Sequence, residues 1–219
     1  MRLLLALPLI LQLARAQECP QIPDNDVEMG EPVPMIPEHI PAGCSDYEVL
    51  VARGTSEPNY AEGGKFGVIV GDPVVSNLTE VLPGSRGYPV QYPASSSILS
   101  VFRGSRDVVD RLVSQSVRCP RQTFALVGYS QGAAVMHAAA DDIPRALHSR
   151  IKAVVMFGDP ALRLGDGSFP SGLQSKVLQN CAEGDPTCDS GRCTYYHLTY
   201  IRPEWIEPTV DFLVEKFTS

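Results

Sequence analysis

Residues Leu126-Val127-Gly128-Tyr129-Ser130-Gln131-Gly132 constrain this chain more than any others. An apolar strand runs straight into Gly-x-Ser-x-Gly, and the helix-forming run Ala133 to Ala140 follows at once. A strand, one serine and a helix in that order describe a nucleophile elbow, with Ser130 at the tip of a tight, strained turn. Gly128 and Gly132 leave room for strand and helix to approach each other. The hydroxyl is then exposed beside a helix N-terminus, whose partial positive charge suits a developing oxyanion.

The remaining elements supply the context such an elbow needs. Residues 47–52 read as a first buried strand that ends in the Arg53-Gly54-Thr55-Ser56-Glu57 loop. Pro73 marks a helix start, with Val74, Val75, Leu78, Val81 and Leu82 on one face. A short strand follows over residues 88–92, then an amphipathic helix through Val108, Val109, Leu112 and Val113 towards Arg118. Residues 124–127 form the elbow strand, 151–157 and 176–180 two more, and Val210, Leu213, Val214 and Phe217 line a closing helix. Strands alternating with helices imply a parallel sheet covered on both faces, a three-layer α/β sandwich with its sites at the carboxyl ends of the strands. Neither repeats nor a second domain are visible.

The first residues set the expected compartment. Met1-Arg2 leads into the apolar run Leu3 to Leu13, too short to span a bilayer, and Ala14-Arg15-Ala16 matches a small-residue cleavage site. Residues 1–16 are therefore expected to be a signal peptide, with a soluble, secreted product beginning near Gln17. Residues 17–43 are proline-rich with little apolar periodicity, an extended arm on the surface, and 44–219 are the catalytic domain. With 25 acidic and 18 basic residues the net charge is −7, which argues against nucleic acid or anionic membranes as partners. Asn77-Leu78-Thr79 is the one glycosylation sequon, either occupied or a bare surface asparagine. Six cysteines in a secreted chain read as three disulfides, with 15 connectivities open. No metal site is expected: there is no CxxC, and His39, His137, His148 and His197 lack ligand spacing.

A nucleophilic serine needs a base, and in this architecture the partners follow in the order serine, acid, histidine. His39 precedes the serine, His137 lies on the helix behind the elbow and His148 reads as a surface residue, which leaves His197. Two acids compete. Asp159 ends a strand in Phe157-Gly158-Asp159-Pro160, whereas Asp185 lies between Cys181 and Cys188, twelve residues before His197. A bridge closing that loop would hold the carboxylate still, as orienting an imidazole demands, so Asp185 is favoured and Asp159 reads as a turn or helix-cap residue.

The elbow Gly-Tyr-Ser-Gln-Gly, the bracketed Cys181…Gly184-Asp185…Cys188, His197-Leu198-x-Tyr200 and Ala52-Arg53-Gly54-Thr55-Ser56 together resemble the fungal cutinase family, which also contains acetylxylan esterases. The resemblance covers nearly all of residues 44–219. It implies an α/β-hydrolase-like fold with a central parallel five-stranded sheet, and a cofactor-free, monomeric serine esterase acting on cutin or similar lipid polyesters and shorter acyl esters. Ser130, His197 and Asp185 would be nucleophile, base and acid, with the backbone N–H groups of Thr55 and Gln131 as oxyanion hole. It suggests Cys44–Cys119 and Cys181–Cys188, which leaves Cys19 to join Cys193 and pin the arm near His197, as a lid over the acyl site or as a strap. Leu198, Tyr200, Ile201, Trp205 and Ile206 are candidates for an apolar acyl site. The alternatives are an acetylxylan esterase on plant cell-wall polysaccharide and a catalytically dead secreted binding protein. Gly54 leans towards cutinase, because a glutamate is usual there in the sister group.

Overall fold

The computed structural model describes residues 18–22, 30–58 and 64–219. The leader expected over residues 1–16 lies outside them, as does Met29 of the arm.

Five parallel strands form one sheet in the order β2-β1-β3-β4-β5. They are β1 (Tyr47–Ala52), β2 (Ser85–Pro89), β3 (Thr123–Tyr129), β4 (Ile151–Phe157) and β5 (Val177–Asn180). Every strand pair is parallel, in the register Leu50↔Leu126 and Leu126↔Val154 across the centre. Side chains alternate across the sheet, so each strand feeds two cores. Leu50, Leu126, Val154 and Met156 pack with α2 (Ile98–Arg118) and α3 (Gln131–Asp142) on one face. Val49, Val51, Val127, Val155 and Phe157 pack with α1 (Gly71–Val81) and α7 (Pro203–Thr218) on the other. Strands buried on both sides must be apolar throughout, which is why β1, β3 and β4 read as continuous runs.

Glu48 is the exception inside β1, with no solvent exposure. Arg86 and Arg111 both bind its carboxylate, at 2.6 and 2.7 Å. Removing either arginine leaves this buried carboxylate with a single cationic partner, at a cost of up to about 3 kcal/mol.

Several expectations shift. The second strand is Ser85–Pro89, three residues earlier than the reading of 88–92. Tyr88, Val90 and Tyr92 are buried beneath α2, but beyond Pro89 only Val90 N–H still bonds β1, at Val51 O. Val81 and Val113, placed on apolar helix faces, are exposed. Three one-turn helices had no sequence signal: α4 (Ala161–Leu164), α5 (Ser171–Gln174) and α6 (Thr194–His197).

Disulfides join Cys44 to Cys119, Cys181 to Cys188 and Cys19 to Cys193. The first ties the approach to β1 to the approach to β3, at the amino end of the sheet. Ser219, at the end of α7, reaches that same end, where Lys152 Nζ donates to its backbone oxygen at 3.2 Å. Asn77 is exposed on α1, its side-chain amide donating to Pro73 O. Among the described residues no helix is long and apolar enough to cross a membrane.

Candidate active site

Ser130 sits between β3 and α3 with φ 54° and ψ −116°, a left-handed backbone that a non-glycine residue holds only under constraint. The constraint is visible on both sides. Ser130 N–H donates to Phe157 O at 2.9 Å, and Ala133 N–H returns to Ser130 O at 3.0 Å. Gly132 faces β1 so closely that a Cβ would lie 1.9 Å from Ala52 O. Any larger residue there would push the helix off the sheet and take the serine with it.

Ser130 and His197 line one cleft of about 510 Å3 above the carboxyl ends of the strands, together with Thr55, Tyr129, Val68, Ile69 and Leu198. A cleft of similar size at the opposite end of the sheet, around Cys44 and Arg86, contains neither serine–histidine pair nor elbow.

The short helix α6 delivers His197, and its imidazole is fixed from three directions. Nδ1 lies 2.8 Å from Asp185 Oδ2. The Tyr129 ring stacks on it at 5.0 Å, and Tyr129 OH donates to His197 O at 2.8 Å. Below it, Gly158 at φ 53° leaves no room for a side chain: a Cβ would stand 2.6 Å from His197 Cε1. With Nδ1 taken by the carboxylate, Nε2 is the nitrogen left for the cleft.

Asp185 has no solvent exposure. Burial alone would raise its pKa, but His197 and Tyr200 donate to the carboxylate, Tyr200 OH at 2.6 Å, and Thr187 N–H donates at 2.7 Å. The balance holds the carboxyl below the usual range, ionised at neutral pH. The Cys181–Cys188 bridge closes the loop that carries it.

Asp159 is also buried, but it pairs with His137 Nε2 at 2.8 Å and accepts from Ala161 N–H at 2.9 Å. It is therefore a turn residue just ahead of α4, with a histidine of its own. His148 is half-buried rather than superficial, with its Nε2 buried and unpaired among the described residues.

Thr55 lines the same cleft as Ser130, and Gln131 follows the serine in the chain. No group among the described residues takes the backbone N–H of either. The neighbours of Thr55 are occupied: Gly54 N–H donates to Glu57 Oε2 at 2.5 Å, and Ser56 N–H to Ala94 O at 2.8 Å. The Gln131 side chain is anchored to Ser95 O at 2.7 Å. Behind the loop Glu57 is buried, and that burial pushes its pKa up to about 6 against the bonds from Ile69 and Gly54.

The apolar lining differs from expectation. Of the five candidates near His197 only Leu198 faces the cleft; Tyr200 and Ile206 are core residues and Ile201 points to solvent. The lining comes instead from Val68 and Ile69, with Ile98, Leu99 and Phe102 exposed on the first turns of α2, just beyond Ser96 at the rim. Tyr200, expected in the acyl site, instead bonds the Asp185 carboxylate, and the roles of Tyr129 and Glu57 were not among the sequence expectations. The signal for Tyr129 was its place next to the serine; Tyr200 acts on Asp185, 15 residues away, and Glu57 ties Gly54 to the more distant Ile69.

Known proteins share the sequence pattern and the fold of this chain. The family described as Cutinase matches residues 43–217. The chain is 38% identical over 167 residues to cutinase cut1 of Trichoderma harzianum, spanning 72% of this chain but only 62% of that protein. It is 34% identical over 173 residues to phospholipase Culp4 of Mycobacterium tuberculosis, 73% of this chain and 74% of that one. The solved structure of Trichoderma reesei cutinase with a phosphonate inhibitor superposes with a TM-score of 0.68 at 31% identity, covering 87% of this chain and 80% of the other. The chain belongs to the cutinase family of carboxylic ester hydrolases.

Proposed function

We propose that this protein is a secreted serine esterase that hydrolyses cutin or similar lipid polyesters, and short to medium acyl esters, through Ser130, His197 and Asp185. The observation that carries the reading is the meeting, in one largely apolar cleft, of a strained serine and an imidazole anchored to a buried carboxylate.

The chemistry follows from the atoms. His197 Nε2 takes the Ser130 proton as Oγ attacks the ester carbonyl. Asp185 fixes the tautomer with the proton on Nδ1 and stabilises the imidazolium that forms. Negative charge develops on the carbonyl oxygen between the free N–H groups of Thr55 and Gln131, each donor contributing about 10²- to 10³-fold in rate. The alcohol leaves with the proton from His197, and water then attacks the acyl-enzyme through the same base.

Lipid polyester is favoured as substrate by Val68, Ile69 and Leu198 in the cleft and by the exposed Ile98, Leu99 and Phe102 beside it. Such a rim suits an acyl chain presented from a surface better than a sugar ring. Three disulfides support an oxidising, extracellular setting, with residues 1–16 as the leader and the mature chain starting near Gln17.

The test is to incubate the purified protein with p-nitrophenyl butyrate, with cutin and with acetylated xylan, beside Ser130→Ala. Release of hydroxy fatty acids from cutin that the variant lacks is the expected result. Acetate release from xylan with cutin untouched would overturn the substrate, and equal rates for both proteins would overturn the enzyme.

A further inference from the structure

Among the described residues, the non-glycine positions with positive φ are Ser56, Ala94 and Ser130, at 60°, 47° and 54°. Ser130 is the elbow. The other two are bonded to each other, Ser56 N–H to Ala94 O at 2.8 Å. Each also adjoins a group that an oxyanion hole would need: Ser56 follows Thr55, and Ala94 precedes Ser95, whose carbonyl anchors the Gln131 side chain. Such backbone costs on the order of 1–3 kcal/mol per residue and persists only where its surroundings over-determine it.

The surroundings are the N-terminal arm. Gly30 N–H donates to Ser56 Oγ at 2.6 Å, and Ser56 Oγ donates on to Glu31 O at 3.3 Å. Ser96 N–H donates to Gly30 O at 2.9 Å, and Val33 N–H to Pro93 O at 2.8 Å. The Arg53 guanidinium joins the same knot, reaching Tyr92 O at 2.8 Å and Val33 O at 3.4 Å. Residues 30–33 are thus stitched to the chain on both sides of Ala94 and to Ser56 itself. Gly30 has φ 94° and lies so close that a Cβ would meet Ser96 Cβ at 3.2 Å. Farther along, the arm is held differently: Arg86 takes Ala42 O and Gly43 O at 2.8 and 2.9 Å, at the far end of the sheet from the cleft.

We infer that residues 30–33 and Ser56 are positioning residues for the oxyanion hole, a brace that sets the spacing between the Thr55 and Gln131 N–H groups. The inference rests on the esterase reading above. It assigns the arm a share in catalysis rather than in stability alone, because a displacement of 1 Å between reacting groups costs about 10²-fold in rate.

The experiment uses the full mature chain carrying Ser56→Ala, which removes both bonds to the arm. A second variant, Gly30→Ala, leaves Ser56 in place and pushes the arm off Ser96. The expected result for Ser56→Ala is a kcat on p-nitrophenyl butyrate lowered about tenfold with KM within about twofold. Inactivation by a p-nitrophenyl phosphonate, whose phosphoryl oxygen must enter the hole, should slow by a similar factor. Gly30→Ala should show the same split, and it carries the test if Ser56→Ala does not fold by near-ultraviolet circular dichroism. Arg86→Lys, which loosens the other end of the arm, should lower the melting temperature and leave kcat unchanged. Values of kcat within twofold of the parent for both site variants, or an equal loss in Arg86→Lys, would overturn the brace. A parent no faster than Ser130→Ala would overturn the esterase reading, and the brace with it.

Discussion

Two histidine–aspartate pairs stand at the carboxyl end of the sheet, on opposite faces of it. Each has an N···O distance of 2.8 Å, an aspartate with no exposure and an imidazole stacked on an aromatic ring, Tyr129 in one case and Phe169 in the other. Both carboxyls lie below their ordinary range despite burial, because hydrogen bonds outweigh it. The differences are in aim. His197 spends Nδ1 on Asp185 and keeps its distal nitrogen for a cleft it shares with Ser130. His137 spends Nε2 on Asp159, two turns down α3 and roughly 10 Å along the helix from the serine. A paired imidazole is therefore a common structural part, and only its position relative to a nucleophile makes it a candidate base.

Mutation separates the two pairs. Ser130→Ala and His197→Ala should each lower kcat/KM on p-nitrophenyl butyrate by about 10⁵- to 10⁶-fold, and Asp185→Asn by about 10⁴-fold. His137→Ala and Asp159→Asn should leave kcat within about threefold while lowering unfolding free energy by roughly 3 kcal/mol in urea titrations. The opposite allocation, with Asp159→Asn inactive and Asp185→Asn normal, would break the comparison. Tyr200→Phe removes a 2.6 Å donor from Asp185 and is expected to cost about tenfold in kcat with little change in KM.

A smaller effect contrasts both aspartates with Glu57. A carboxyl held below its unfolded value contributes stability at neutral pH that is lost on acidification. Glu57 is raised to about 6, so its contribution runs the other way, fully present below about 4.5 and lost as pH rises through 6. Glu57→Gln should flatten the fall in stability between pH 4.5 and 6.5, by about 2 kcal/mol at most. Melting curves at several pH values measure this; an unchanged slope would place the titration elsewhere.

The parts of the fold that were legible in the sequence are those where burial and periodicity coincide. β1, β3 and β4 are apolar because both of their faces are covered, and the elbow is visible because strand, glycine, serine and helix are contiguous. β2 was misplaced because it is an edge strand: its pairing stops at Pro89 while burial under α2 continues to Tyr92. α6 is a single turn, shorter than any periodic signal, so the sequence singled out His197 as the base without placing it on a helix. Around the cleft, chain order allows either aspartate; the cysteine bracket favoured Asp185 over Asp159, and the structure gives the latter to His137, a partner 22 residues away. The roles of Tyr200 and Glu57 were not legible, since Tyr200 bonds Asp185 and Glu57 bonds Ile69 across folds of the chain that local pattern does not mark.

The position of Ser219 beside Lys152 has a practical side. Helix α7 ends at the pole opposite the cleft, on the same side as the Cys44–Cys119 bridge. A linker, affinity tag or solid support joined there would leave the cleft that holds Ser130 and His197 facing outward. Attachment through the arm would instead load the brace.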